Sequence, residues 1–220
     1  EPVPYRQDLY FHIGVVLSAA GRDSEAKDAY EEALRLNPKD SRAHNDLGIL
    51  LEKQGDEEGA LRHYRAALEA HPEFALALSN MGDLLARRGD VNGAAAAFRK
   101  AMELEPENPQ HQYNLGLQMT RLGKTDEAAE LYRSVLRLSP GDVRAMNNLG
   151  LLLANRGETQ EAEAIFRNAI ELSPDFTLAR ANLGNLLIQT GSFQAGITIY
   201  KEGIDLYPEN AELLNGLGYQ

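Results

Sequence analysis

The chain has 220 residues, 43% of them apolar and 25% charged, a balance that builds globular structure rather than disorder. Its net charge is −11 and it has no cysteine, which excludes disulfides and thiolate metal sites. The same charge argues against nucleic acid and anionic lipid as partners, because those ligands call for a basic stripe.

No apolar run approaches the roughly 20 residues that cross a bilayer, so no membrane insertion is expected. A soluble, cytoplasmic protein is the expectation, although a cysteine-free chain tolerates either side of a membrane.

Taken in chain order, the sequence repeats every 34 residues. Units run over 7–40, 41–74, 75–108, 109–142, 143–176 and 177–210, beginning at Gln7, Ser41, Ala75, Pro109, Val143 and Thr177. The eighth place holds Gly14, Gly48, Gly82, Gly116, Gly150 and Gly184, and the fifteenth holds Gly21, Gly55, Gly89, Gly123, Gly157 and Gly191. The twentieth is alanine until Gly196, and the twenty-fourth is aromatic throughout: Tyr30, Tyr64, Phe98, Tyr132, Phe166 and Tyr200. A proline, from Pro38 to Pro208, closes every unit.

Within a unit, Leu149 and Leu153 begin one helical stripe, and Ala162, Phe166, Ala169 and Ile170 form a second. The fifteenth-place glycine suits a helix C-terminus, where a left-handed residue lacking Cβ is cheap. Proline stops the second helix. The small residues of the eighth and twentieth places let two backbones approach, and the aromatic ring fills the space between one unit and the next. Each unit is therefore a helical hairpin that buries its apolar face only by stacking on neighbours.

Individual units depart from this pattern. GDEEGA at 55–60 places carboxylates at the start of a second helix, where they complement the helix dipole. GAAAAF at 93–98 replaces charged outer places with Gly93, Ala96 and Ala97, either a smooth face for a partner helix or simply good helix. In the sixth unit Gly196 and Gly203 stand where alanine would, each weakening a helix interior by about 1 kcal/mol. That unit is expected to be loose, or to be stabilised by the segment C-terminal to it.

Residues 211–220 restart a unit with Gly218 in the eighth place, leaving Leu213, Leu214 and Leu217 without a second helix. Pro4 is in phase with the closing prolines, which makes residues 1–6 the tail of a preceding repeat. A window cut from a longer array is the expectation.

The pattern resembles the tetratricopeptide repeat, a 34-residue helix–turn–helix, across residues 7–210. The family's tryptophan is absent from the fourth place, where Tyr10, His44, Leu78, Gln112, Met146 and Arg180 stand, and the eleventh place is Leu or Met rather than tyrosine. The resemblance implies an all-α fold, a right-handed superhelical solenoid whose first helices line a concave groove that binds a protein or peptide ligand.

On helical spacing the groove stripe takes the second, fifth, sixth, ninth, twelfth and thirteenth places. Its sixth place reads His12, Asp46, Asn80, Asn114, Asn148, Asn182. An asparagine offers both a donor and an acceptor, so this ladder suits a peptide backbone whatever its side chains. Helices pack about 8–10 Å apart and an extended chain advances about 3.3 Å per residue, so one asparagine would meet about every third ligand residue. The alternative is that asparagine here supports helix packing. Asn147 and Asn185 extend the polar track, Tyr113 adds an aromatic patch, and Arg87, Arg121 and Arg144 either attract an acidic segment or form solvated salt bridges. The Lys/Asn clamp for chaperone tails is not matched.

No catalytic motif occurs, and the five histidines (His12, His44, His63, His71 and His111) fall at five different places of the unit, without metal-ligand pairing. The chain is therefore read as non-catalytic, without cofactor or metal: a protein-interaction scaffold. One alternative is the substrate-recognition arm of a larger enzyme such as an O-linked N-acetylglucosamine transferase, whose repeat arrays carry a similar asparagine ladder. Another is a self-associating scaffold joined through exposed terminal repeats.

Overall fold

The computed structural model describes residues 5–218, with the side chain of Leu217 excluded. The expectations for Pro4 and for the side chain of Leu217 lie outside the described residues. Among those residues there are thirteen α-helices and no strand. They are α1 (Arg6–Ala19), α2 (Asp23–Leu36), α3 (Ser41–Lys53), α4 (Glu57–Ala70), α5 (Ala75–Arg87), α6 (Val91–Leu104), α7 (Pro109–Arg121), α8 (Thr125–Leu138), α9 (Val143–Asn155), α10 (Thr159–Leu172), α11 (Thr177–Gln189), α12 (Phe193–Leu206) and α13 (Ala211–Leu217).

The chain forms two compact units that divide inside α7, the first ending at Gln118 and the second starting at Met119. In the first, α1 packs on α2, α3 on α4 and α5 on α6, and each hairpin leans on the next through α2 with α3 and α4 with α5. In the second, α9 packs on α10 and α11 on α12, with α8 against α9, α10 against α11, and α13 against both α11 and α12. This is an all-α repeat fold.

The helix ends follow from local chemistry. Gly157 takes φ +80° after α9, and the other fifteenth-place glycines are likewise positive. The Gly157 amide donates to the Ala154 carbonyl at 3.0 Å and the Glu158 amide to the Leu153 carbonyl at 2.9 Å. These bonds satisfy carbonyls the helix would leave open, and only glycine reaches that angle without strain. At the N-termini, Asp40 and Asp142 each accept two backbone amides of α3 and α9. Asp56 and Asp90 accept the amides of Gly59 at 2.8 Å and Gly93 at 2.9 Å, satisfying helix donors that have no intrahelical partner. A Cβ on Gly59 or Gly93 would collide with the capping carboxylate. Gly93 is thus first a capping requirement, a role its place in GAAAAF does not announce.

Packing turns on the aromatic ring. A Cβ at Gly14, Gly48, Gly82, Gly150 or Gly184 would lie between 2.5 and 2.8 Å from Tyr30, Tyr64, Phe98, Phe166 or Tyr200 respectively. The ring therefore rests on the first helix of its own hairpin. In the first unit Tyr30 and Tyr64 join Phe11, Leu47, Leu50, Leu61 and Leu84 in one core. On α1 the third, seventh and tenth places, Leu9, Ile13 and Val16, are exposed, whereas their equivalents Ala43, Leu47 and Leu50 on α3 are buried.

In the second unit α12 is unbroken despite its two glycines, and both are buried. A Cβ on Gly196 would stand 2.9 Å from the backbone oxygen of Gly184 and 2.7 Å from Ile188, and one on Gly203 would stand 2.8 Å from Leu213. Leu213 is fully buried. The sixth hairpin thus gains its support from α13, one of the two outcomes expected of it. Gly218 takes φ +84° and ends α13, so the eighth place of this last segment is a helix cap and not a packing surface.

Inside the second hairpin, His44 and His63 meet with Nδ1 atoms 2.9 Å apart. The other nitrogen of His44 donates to the Pro38 carbonyl at 3.1 Å, so His44 Nδ1 accepts and His63 Nδ1–H donates. Burial, reinforced by the facing His44 and by Arg62, lowers the His63 pKa from 6.5 to about 4.

This packing has two measurable consequences. On helix propensity alone Gly196→Ala would stabilise α12 by about 1 kcal/mol; the backbone contact reverses the sign, and a loss of about 1–3 kcal/mol is expected in urea unfolding. For His63 the folded pKa is depressed, so between pH 6.5 and 4 the unfolded chain binds the additional proton and stability falls with falling pH. His63→Gln keeps a donor for His44 and removes the titration. The difference in urea midpoint between pH 7 and pH 4.5 should be smaller in the variant than in the wild type, and equal differences would refute the assignment.

Candidate ligand-binding face

First helices expose one face to solvent, and its residues are positioned by hydrogen bonds between equivalent helices. In the first unit the Asn80 amide, on α5, donates to the carbonyl oxygen of Asn45 on α3 at 2.9 Å. Asn45 is fully buried, and its own amide donates to Asp46 at 3.0 Å. Asn114 on α7 donates to Asp83 on α5 at 3.2 Å and accepts from Gln110 at 2.7 Å. In the second unit the same device recurs: the Asn182 amide on α11 donates to the Asn147 carbonyl oxygen on α9 at 2.7 Å.

A rule of register lies behind these bonds. Where the fifth place of a unit is asparagine, as at Asn45 and Asn147, the sixth-place asparagine 35 residues later turns its amide onto it. Where the fifth place is Ser79, its hydroxyl meets His111 Nδ1 at 2.9 Å instead, and Asn114 bonds to the ninth-place Asp83. The signal stood in the sequence as an asparagine pair 35 residues apart, and counting each place separately concealed it.

The predicted residues therefore differ in what they present. Asn80 and Asn182 are half-buried, and among the described residues no internal donor reaches their carbonyl oxygens. Each is held by one amide hydrogen and offers an acceptor and a second N–H outward. Asn147 is buried, 6% exposed, beneath Asn182. The Asn185 carbonyl oxygen accepts from the Tyr200 hydroxyl at 2.7 Å. Asn148 and Tyr113 are half-buried and Arg121 is exposed.

Charge on this face is largely paired. Arg87 bonds Glu52, which also accepts from the Tyr64 hydroxyl at 3.0 Å. Arg144 bonds Asp142 at 3.0 Å. Arg42 joins Asp8 at 2.8 Å and lies 4.7 Å over the Phe11 ring. Asp46 and Asp83 have no ion-pair partner among the described residues. Burial raises both pKa values; the Asn45 hydrogen bond opposes it at Asp46, and the nearby Arg87 charge opposes it at Asp83. Burial, then the charge of Asp46, lifts the Tyr30 hydroxyl to about 12.

Among the described residues no group of three or more histidine, cysteine, aspartate or glutamate side chains could hold a metal ion, and no helix is long and apolar enough to cross a membrane.

Comparison with known proteins places this geometry. No curated protein sequence matches the chain. Among solved structures it is similar to YrrB, described as a TPR protein with an unusual peptide-binding site, at 25% identity, covering 86% of this chain and 97% of that one with a TM-score of 0.74. PilF of Pseudomonas aeruginosa aligns at 21% identity over 98% of each chain with a TM-score of 0.79. A tetratricopeptide repeat protein from Parabacteroides merdae aligns at 21% identity over 94% of this chain and 82% of its own, with a TM-score of 0.77. The latter two show the fold alone. A family profile, the cilia and flagella-associated protein 70 C-terminal domain, matches residues 9–211. The chain is a tetratricopeptide-repeat protein and belongs to the family of that C-terminal domain.

Proposed function

We propose that this interaction scaffold holds extended segments of partner proteins on its first-helix faces, through Asn80 in the first unit and, separately, through Asn182 in the second. One observation carries the reading: each of these asparagines is anchored by one amide hydrogen while its carbonyl oxygen stays open. A preoriented acceptor beside a donor matches the alternating N–H and C=O of an extended backbone, and fixing it beforehand lowers the entropy lost on binding. The peptide-binding site attributed to YrrB, on a related fold, supports the same use.

Pairing decides the charge preference. Arg87 and Arg144 are already bonded to Glu52 and Asp142, whereas Asp46 and Asp83 form no direct ion pair among the described residues, although Arg42 and Arg87 lie near enough to act on them. A neutral or basic segment fits this face better than an acidic one. Asn147 and Asn45 act from beneath, by aiming the asparagines above them. The reading assigns the chain no catalytic step.

A display library of unstructured 12-residue peptides tests this, with the strongest binder measured again by fluorescence anisotropy. Asn80→Ala should weaken binding at the first unit about tenfold and Asn182→Ala binding at the second, the effect of leaving one hydrogen-bonding group unmet. Asn45→Ala, at a buried position, should weaken binding at the first unit less, by releasing Asn80. Failure to select any peptide, or affinities unchanged in all three variants with helicity intact, would refute the proposal.

A further inference from the structure

A second surface lies on the first unit, away from the asparagine face. Between α4 and α6 runs a groove of about 560 Å³, floored by Leu78, Met81 and Leu85 of α5 and walled by Leu68, Ala96 and Ala97. The reason it is open is in the sequence. At the twenty-third place α4 has His63, whose ring bonds His44 of α3. On α6 that place is Ala97, preceded by Ala96, and no side chain reaches across.

The rim charges have a definite order. Arg65 on α4 and Lys100 on α6, at the twenty-fifth and twenty-sixth places, both line the groove, three or four places from Glu69 and nine or ten from Asp90. Neither has a hydrogen bond or ion pair among the described residues. Asp90 and Glu69 also line the groove, one at the N-cap of α6 and the other in the last turn of α4. Thirteen places separate them, about 20 Å of helix at 1.5 Å per residue. From end to end the rim reads acidic, doubly basic, acidic.

We propose that this groove is a second docking site, and that its occupant is an amphipathic helix of a partner protein, about 13 residues long, with flanking charges that run basic, acidic, basic. An apolar floor between two parallel helices takes the side chains of a third helix at i, i+3, i+4 and i+7. The small residues at 96 and 97 allow close approach, and Arg65 and Lys100 would each gain a carboxylate they now lack. A helix with the reverse charge order would put like charges together along its whole length, so selection rests on repulsion as well as attraction. The site uses none of the residues of the asparagine face, so the two proposals stand or fall separately.

The test uses two synthetic helices with one identical leucine-rich face. One carries lysines at its ends and glutamates on its flanks three or four residues from one end; the other has these charges exchanged. Fluorescence anisotropy at low salt should show the first binding at least fivefold tighter, and the two should converge as salt screens the rim. The double variant Arg65→Glu, Lys100→Glu leaves an all-acidic rim and should erase the preference. Ala96→Arg, at an exposed position, should abolish binding of both peptides while leaving the circular dichroism unchanged. Equal affinities at low salt, absence of binding by either helix, or binding indifferent to Ala96→Arg would overturn the proposal.

Discussion

The structure depends on one contact, the twenty-fourth-place ring lying on the eighth-place glycine of the same hairpin. No side chain larger than hydrogen fits beneath Tyr64 at Gly48 or beneath Phe166 at Gly150. The contact fixes how far apart the two helices of a hairpin stand, and hence which residues are left outside. Once α3 and α4 are set by Tyr64, the Tyr64 hydroxyl reaches Glu52, and Glu52 in turn takes Arg87 from the next first helix. A packing constraint inside one hairpin thereby orders the charges on its face.

Tyr200 shows the same constraint stretched to its limit. Its ring meets Gly184 on one side and Gly216 of α13 on the other, and its hydroxyl bonds both Ala181 and Asn185. Here the next first helix supplies the second half of the packing, while Leu213 fills the space that Gly203 leaves. Glycines that look like weak points by propensity are positions where one backbone must come close to another. Close packing decides the sign because an added methylene in a filled interior has nowhere to go.

Two faces of the first unit carry different chemistry for the same geometrical reason. First helices present polar groups that bond one to the next across a distance of one repeat, which leaves oriented hydrogen-bonding atoms outward. Second helices present whatever stands at their outer places, and the small side chains of α6 line an apolar groove. One face offers oriented donors and acceptors, the other an apolar floor. A repeat protein gains such diversity without altering its core, because outer places do not touch the ring–glycine contact.

The sequence by itself determined the hairpins, since glycine, alanine, aromatic ring and proline recur at fixed places and each has a local physical reason to be there. It also determined the starts of α3, α5, α7, α9 and α11, which coincide with the starts of the repeats, because proline and capping residues act over only a few positions. Only the tertiary structure decided which asparagines keep an open carbonyl oxygen and which lie beneath. Asn147 and Asn182 look alike on a helical stripe, yet one is buried under the other, since burial depends on a neighbour 35 residues away. Likewise His44 and His63 form a pair, Asp90 needs Gly93, and Ala97 opens a groove only once two separated helices are brought side by side. Periodicity reports how a residue sits on its own helix; what that residue meets is set by packing between helices.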